Sequence, residues 1–252
     1  MGTRRAPRVA AVLAGAALCV PLALELAPLA AEVAPRAEAA ARADAAVGEF
    51  APAASAEGGA EPLADGVDWE GLLAENPDAV AWVRAPGTRV DYAVVQAPAS
   101  DPQRYLAVDL YGEPSYRGCP YVGADCAAEG GLRSAFAIVY GHHLVDGSMF
   151  SDFAKYSDRA YAEAHREVWL LTPEGAERLR VVAANVVDAR SEDLGVGLEG
   201  AELDAYMRRK LAESEVVLEE PERFERVVCF ATCSYQTDHS RTLVYAVGED
   251  GR

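Results

Sequence analysis

The chain has 252 residues, of which 51% are hydrophobic, and a formal net charge of -17 at pH 7. A chain of this length and hydrophobicity can form one substantial core or two small ones. The excess of acidic residues argues against nucleic acid and against anionic lipid as ligands, because both carry negative charge.

The first 31 residues have the pattern of an export leader. Arg4, Arg5 and Arg8 precede an uncharged apolar run over residues 9–24. Basic residues before an apolar run predict that the N-terminus stays in the cytoplasm and that the rest of the chain is exported. The pattern fits both a cleaved signal peptide and a retained signal-anchor that spans the membrane.

Residues 32–64 are rich in Ala, Pro, Gly and Glu and contain almost no large apolar side chains. This composition predicts a low-complexity linker, with a frayed helix around residues 37–47. The folded domain is then expected over residues 65–252.

Within that domain, Asp68 followed by apolar residues predicts a short N-terminal helix that ends before Pro77. Runs of β-branched and aromatic residues predict seven or eight strands. Their expected positions are 79–84, 90–96, 121–122, 135–140, 168–172, 178–187, 224–233 and 241–247. Helical spacing of apolar residues predicts helices at 148–156, 158–165 and 202–214. These elements predict a mostly-β domain, a closed or partly closed barrel with peripheral helices.

Two cysteines bracket a short segment that could reverse the chain. Cys119 and Cys126 flank Pro-Tyr-Val-Gly-Ala-Asp, and a turn at Gly-Ala-Asp would bring the two sulfurs together. A disulfide is plausible in an exported domain, and two unpaired thiols are the alternative. Cys229 and Cys233, in contrast, are four residues apart on one predicted strand, which is too far for a bridge.

Reactive side chains lie at both ends of a polar turn near the C-terminus. Cys233 ends one predicted strand and Arg241 begins the next, so pairing of the two strands places a thiol beside a guanidinium. A nearby cation lowers a thiol pKa, and the thiolate is the nucleophilic form. His142 follows the buried strand at 135–140. If the strands before His142 and Cys233 are parallel neighbours, imidazole and thiol meet at one edge, which is the minimum for thiol catalysis.

Other interpretations of these residues remain open. Cys233 could be a small buried side chain, as many cysteines are, and His142 and His143 could belong to a polar turn. His142, His143, Cys233 and His239 could in principle bind zinc, although the usual ligand spacings are not present in the sequence. Neither a phosphate-binding glycine loop nor a serine-hydrolase motif occurs.

Three segments in order resemble the class B sortases, the membrane-anchored cysteine transpeptidases of Gram-positive bacteria. They are residues 76–96 (NPDAVAW, PGT and VDYAVVQ), residues 140–150 (YGHHLVDGSMF) and residues 232–241 (TCSYQTDHSR). The similarity extends over about residues 68–248. The resemblance implies a sortase-like β-barrel, and the helix predicted at 202–214 fits class B.

The resemblance also implies roles for individual residues. His142 is the expected catalytic histidine, Cys233 the nucleophile and Arg241 the third essential residue. Five more residues are expected to bind substrate or support the catalytic ones: His143, Thr232, Ser234, Tyr235 and Asp238. The implied reaction cleaves a C-terminal sorting motif of an exported protein after Thr. The acyl group forms a thioester on Cys233 and passes to an amine of a cell-wall precursor or pilin.

The family needs no cofactor or metal, and its leader is normally retained as a signal-anchor. The resemblance therefore implies a single-pass membrane protein with its catalytic domain outside the cell. The expected partners are a sorting-signal peptide and an amine acceptor. An exported papain-like cysteine hydrolase and a non-catalytic exported binding module are the competing functions.

Overall fold

The strands of the protein form one sheet that closes into a barrel. The computed structural model describes residues 34–51, 66–192, 194–233 and 239–248, and these contain nine strands. They are β1 (Ala79–Arg84), β2 (Asp91–Gln96), β3 (Tyr121–Val122), β4 (Phe136–Gly141), β5 (Glu167–Thr172), β6 (Gly175–Asp188), β7 (Val216–Val217), β8 (Val227–Cys233) and β9 (Ser240–Gly248). The order across the sheet is β5-β1-β2-β3-β4-β8-β9-β6-β7, and pairing of β5 with β6 closes eight strands into a barrel with β7 added outside the ring.

Helices lie between and around the strands. A helix over residues 34–50 is called α1, and it is followed by α2 (Trp69–Glu75), α3 (Arg104–Ala107), α4 (Ala124–Ala127), α5 (Arg159–Ala164) and α6 (Gly200–Glu213). In the described residues, 3₁₀ helices cover Gly131–Arg133 and Phe150–Ser157. The prediction of a mostly-β barrel with peripheral helices is confirmed, including the N-terminal helix and the helix near 202–214.

Local sequence explains where the N-terminal helix of the barrel domain begins and ends. The Asp68 carboxylate accepts a hydrogen bond from the backbone N–H of Gly71, which caps the first turn of α2. Asn76 ends the helix in an extended conformation before Pro77, which cannot continue it. The Asn76 side chain then donates to the Leu110 carbonyl and ties α2 to the segment that follows α3.

Alternation along the strands divides the apolar residues between two cores. On β1, Ala81 and Val83 belong to the larger cluster, which includes side chains of β4, β8, β9 and α6. Trp82 points to the opposite face and packs in a second cluster with Phe50 and Leu72. The second core therefore joins the helices at the N-terminal side to the outer face of the sheet.

Residues 34–50, assigned to the linker by their composition, form a helix that packs on the barrel. Ala39, Ala46 and Phe50 are buried, and Arg42 makes a 2.7 Å ion pair with Asp109. The helix therefore packs through small alanines and a single large apolar residue, Phe50, which is too few for composition to indicate a packed helix. The rest of the predicted linker, apart from residue 51, lies outside the described residues.

None of the helices in the described part of the chain combines the length and apolar character that a membrane crossing requires. The predicted leader, residues 1–31, lies outside the described residues.

Candidate active site

Two parallel strands bring the predicted histidine and cysteine to one edge of the sheet. Strand β4 runs parallel to β8, and Gly141 at the end of β4 is the register partner of Thr232. His142 and Cys233 are the next residues on the two strands. The expected parallel arrangement is confirmed, and both side chains line one cleft.

Antiparallel pairing adds the arginine to the same edge. Cys233 and Arg241 are direct register partners at the ends of β8 and β9. Arg241 also lines the cleft, together with His142, Thr232 and Tyr140. The three residues predicted to be catalytic therefore face a shared cavity, although His142 is far from the other two in the sequence.

An aromatic pair supports Arg241. Its guanidinium lies 5.8 Å from the ring centroid of Tyr140, and the Tyr140 ring stacks on Tyr121 with a centroid distance of 5.4 Å. Burial raises the pKa of both phenols, so the rings stay neutral at physiological pH. A cation over an aromatic face is attracted by the ring quadrupole, so the pair holds the guanidinium at the wall of the cleft.

The ring of His142 contacts a backbone carbonyl on the other side of the cleft. Its Nε2 atom lies 2.8 Å from the carbonyl oxygen of Leu106, in α3. A carbonyl can only accept a hydrogen bond, so this contact assigns the proton to Nε2. In the neutral ring, Nδ1 then carries the lone pair and is the atom that can exchange a proton with a reacting group.

The next histidine is tied to the nucleophile residue itself. Nδ1 of His143 lies 3.0 Å from the carbonyl oxygen of Cys233, and the same rule assigns the proton to Nδ1. On the same hairpin, the backbone N–H of Phe150 donates to the His142 carbonyl over 2.8 Å. Hydrogen bonds therefore hold the backbone of His142 and the ring of His143 just beyond the end of β4.

Cys233 differs from the other described cysteines in its exposure. Cys119, Cys126 and Cys229 are buried, and burial raises the pKa of each of these thiols. Cys233 is exposed at the end of β8. Among the four described cysteines it is thus the one that a substrate can reach, whereas Cys229 fills a core position.

The predicted disulfide between Cys119 and Cys126 is not formed in the structure, where both are free thiols. The residues between them enter strand β3 instead of reversing the chain, and Gly123 leads into α4. Cys119 then packs in the second core, with its sulfur near the Ala93 carbonyl, and Cys126 packs in the larger one.

The remaining predicted site residues have different outcomes. Thr232 is buried, 2% exposed, and lines the cleft. Ser234, Tyr235 and Asp238 lie outside the described residues. Within the part of the chain that is described, no three His, Cys, Asp or Glu side chains converge as metal ligands.

Sequence reasoning did not identify two parts of the site. Leu106 acts through its carbonyl oxygen, and a backbone contact leaves no trace in residue type. Tyr121 and Tyr140 occur in apolar strand patterns that are typical of core residues. The only sequence signal for Tyr140 is that it is the first residue of the segment 140–150, which resembles the sortase motif.

No model of a known protein family matches the chain. The chain is 25% identical to sortase B of Staphylococcus aureus over 185 residues, which are 71% of this chain and 73% of that protein. It is 32% identical to sortase B of Listeria monocytogenes over 90 residues, 36% of this chain and 35% of that protein.

The fold leads to the same proteins. The crystal structure of Clostridium perfringens sortase B is similar with a TM-score of 0.64 and 22% identity, covering 71% of this chain and 98% of that one. A substrate complex of Staphylococcus aureus sortase B is similar with a TM-score of 0.62 and 22% identity, covering 70% of this chain and 82% of that one. The chain has the fold of class B sortases and resembles them in sequence.

Proposed function

We propose that this chain, which has the class B sortase fold, is a cysteine transpeptidase. It cleaves a sorting motif of exported proteins after Thr and transfers the acyl group to an amine of a cell-wall precursor or pilin. One observation carries the proposal. The side chains of His142, Cys233 and Arg241 line one cleft at the ends of three adjacent strands.

In the acylation step, the thiolate of Cys233 attacks the carbonyl carbon of the scissile peptide bond. The tetrahedral intermediate collapses, the C–N bond breaks and a thioester forms on Cys233. The departing amine takes a proton from His142, for which Nδ1 is the available atom. Arg241 donates hydrogen bonds to the substrate carbonyl or the oxyanion, and its planar group with five donors suits this role.

In the second step, the acceptor amine attacks the thioester and gives a proton to His142. The new amide is released, and the Cys233 thiolate and the protonated His142 are restored. No net proton is gained or lost over the two steps, and no external cofactor is required.

Two solved relatives support the choice of substrates. One structure is a substrate complex of Staphylococcus aureus sortase B, and another is a sortase B complexed with triglycine. By similarity, we assign a peptide to the acyl side of the cleft and an amine to the acceptor side. His143, Thr232, Ser234, Tyr235 and Asp238 are proposed to bind substrate or support the catalytic residues.

The protein is further proposed to be anchored in the cell membrane by residues 1–31, with its catalytic domain outside the cell. The arginines before the apolar run support this orientation.

The test is to trap the acyl-enzyme. The protein is incubated without an amine acceptor, with a peptide library that contains a fixed Thr, and is analysed by intact mass. We expect an adduct on Cys233 that is absent in Cys233→Ala and retained in Cys229→Ala, the matched buried control. Cleavage of these peptides by Cys233→Ala would contradict the proposal. If amines are then added and the adduct is still hydrolysed instead of being transferred to them, the papain-like hydrolase is favoured.

A further inference from the structure

The hairpin that carries His142 and His143 is stabilised at its turn by the carboxylate of Asp146. Residues 142–150 leave β4 and turn back, with His143 bridged to Met149. At the turn, Oδ1 of Asp146 accepts hydrogen bonds from the backbone N–H of Ser148 over 3.0 Å and from its hydroxyl over 2.6 Å. The carbonyl of Asp146 accepts a third from Arg89, from the turn between β1 and β2, over 2.7 Å.

The second carboxylate oxygen of Asp146 pairs with an arginine from a distant segment. Nη2 of Arg117 lies 2.6 Å from Oδ2, with the Arg117 side chain 10% exposed and the Asp146 side chain 42% exposed. Burial of the arginine defines this pair better than a pair between two freely exposed side chains. Partial burial acts to raise the pKa of the Asp146 carboxyl. The hydrogen bonds from Ser148, with Arg117 and Arg89, outweigh it and hold this pKa below its ordinary value. The carboxylate is therefore charged at physiological pH.

Arg117 belongs to the same segment as the carbonyl that contacts His142. The next residue, Gly118, has a φ of +60° and packs against the backbone of α3. A Cβ at this position would come within 2.3 Å of the Tyr105 carbonyl oxygen and 3.1 Å of the Leu106 carbonyl oxygen. Cys119 also donates its backbone N–H to Tyr105 over 2.9 Å. The segment that carries Arg117 therefore packs directly against the backbone that presents the Leu106 carbonyl.

These contacts form a closed circuit. The hairpin connects Asp146 to His142, and His142 contacts the Leu106 carbonyl. The chain from Leu106 to Arg117 completes the circuit through the ion pair of Arg117 with Asp146. We propose that the Asp146–Arg117 ion pair is a positioning device for His142, which holds the Leu106 carbonyl against Nε2 and so keeps Nδ1 free for the reaction. The expected effect on catalysis rests on the proposed function. The expected effect on the tautomer of His142 depends only on the contact with Leu106, whatever reaction the protein performs.

The consequence for catalysis is specific. Without the Leu106 contact, the neutral ring of His142 exchanges between its two tautomers, and part of the population presents a protonated Nδ1. That part cannot accept a proton from an attacking amine at this atom. A loosened ring is also misplaced with respect to Cys233, and small misplacements of catalytic groups cost large factors in rate.

The test compares Asp146→Asn, Arg117→Met and the double variant with wild type. Asp146→Asn removes the charge and keeps a similar side-chain shape, so it tests the ion pair more cleanly than truncation. Ser148→Ala is a second route to the same device, should the Arg117 variants fail to fold. Glu163→Gln, in the exposed pair with Arg159 on α5, is the matched control. The readouts are the ¹⁵N chemical shifts of the His142 ring, which distinguish the tautomers, and kcat/KM for transpeptidation.

The ring shifts are read in the Cys233→Ala background at alkaline pH, because the proposed resting state holds His142 protonated on both nitrogens. There we expect the Nε2–H tautomer to dominate without a further substitution and with Glu163→Gln. Asp146→Asn, Arg117→Met and their combination should each show a mixture of tautomers and a loss of about tenfold in kcat/KM. The double variant should lose no more than the worse single one, because both break the same contact. An unchanged tautomer in Asp146→Asn, or additive losses in the double variant, would overturn the inference. The ring shifts can be measured in an inactive protein, so failure of the proposed function would be distinguished from failure of this inference.

Discussion

Nδ1 of His143 lies 3.0 Å from the carbonyl oxygen of Cys233, so a histidine on one strand end fixes the backbone of the proposed nucleophile on the next. Parallel pairing of β4 and β8 ends at Gly141 and Thr232. The side-chain contact extends the connection by one residue beyond the ladder. The His143 ring thus holds the Cys233 carbonyl where the backbone ladder between β4 and β8 has ended. This contact keeps the backbone that carries the Cys233 sulfur in place beside the cleft.

We predict that His143→Ala lowers kcat/KM by about fivefold, the effect of losing one hydrogen bond worth about 1 kcal/mol. His143→Asn should recover part of the loss, because its amide can donate from a position similar to Nδ1. His165→Asn is the matched control, since Nδ1 of His165 also contacts a carbonyl, that of Tyr161, over 2.8 Å. Equal losses in His143→Asn and His143→Ala would show that the hydrogen bond to Cys233 is not what His143 contributes.

Thiol alkylation should distinguish the cysteines by exposure. Of the four described cysteines, we expect iodoacetamide to label only Cys233 in the folded protein and to abolish transpeptidation. The other three thiols are buried with raised pKa values, so their reaction requires opening of the core. Peptide mapping after a timed quench measures the rates. Labelling of Cys229 as fast as Cys233 would contradict the assignment of Cys229 to a core position.

Arg241→Lys should behave as a drastic substitution. Lysine keeps the charge but loses the planar set of donors, and removal of one directed oxyanion contact typically costs about a hundredfold in kcat. The exposed residue Arg223 supplies the control, Arg223→Lys, which should leave kcat unchanged. Near wild-type turnover in Arg241→Lys would show that Arg241 contributes charge alone.

The strands could be predicted from the sequence, because they depend on local patterns, whereas the parallel edge was a hypothesis that followed from placing His142 and Cys233 in one site. The prediction of a strand at 79–84 coincides with β1, and the buried apolar run at 135–140 differs from β4 by one residue at each end. Strand β8 ends at Cys233, as predicted, but it begins at Val227 and not at Phe224.

The parts that could not be predicted depend on contacts between distant segments. The disulfide prediction was wrong because spacing shows only that Cys119 and Cys126 could approach, whereas β3 pairs with β2 and β4 and keeps the chain extended. A helix was expected around residues 37–47, but its packing on the barrel was not, because only small alanines and Phe50 are buried. The Leu106 carbonyl at His142 has no signature in residue type.

Gly141 lies under an aromatic ring, which predicts a strong effect of adding one methyl group. A Cβ at Gly141 would lie 2.4 Å from the ring of Phe150, which is fully buried. We expect Gly141→Ala to lower the free energy of unfolding by about 1–3 kcal/mol, the usual cost of overpacking a core. Gly48→Ala, in α1 with open space at the Cβ position, should be neutral or slightly stabilising.

Urea denaturation of Gly141→Ala, Phe150→Leu and the double variant measures the coupling between the two residues. The double variant should be less destabilised than the sum of the single variants, because the smaller side chain makes room for the methyl group. Additive effects would show that the ring of Phe150 is not what restricts position 141.

The last prediction separates transpeptidase from hydrolase, since the three proposed catalytic residues serve either reaction. Both reactions share acylation and differ in whether an amine or water attacks the thioester. At neutral pH most alkyl amines are protonated and water is abundant, so amine transfer dominates only if the site binds and orients the amine. The net charge of -17 favours an increased concentration of cationic acceptors near the protein, an effect that salt weakens.

We therefore predict that a suitable amine raises the total turnover of a cleaved peptide and shifts the product from free acid to amide. Mass spectrometry of the products measures both, with diaminopimelate, lysine and short glycine peptides as acceptors at low and high salt. Deacylation is expected to limit turnover without acceptor, because water is not oriented by the site, so the rate should rise with amine concentration and then saturate. The saturating amide yield should persist at high salt, while the half-saturating amine concentration increases. Hydrolysis that none of these amines diverts would assign the protein to the papain-like class of reaction, despite its class B sortase fold.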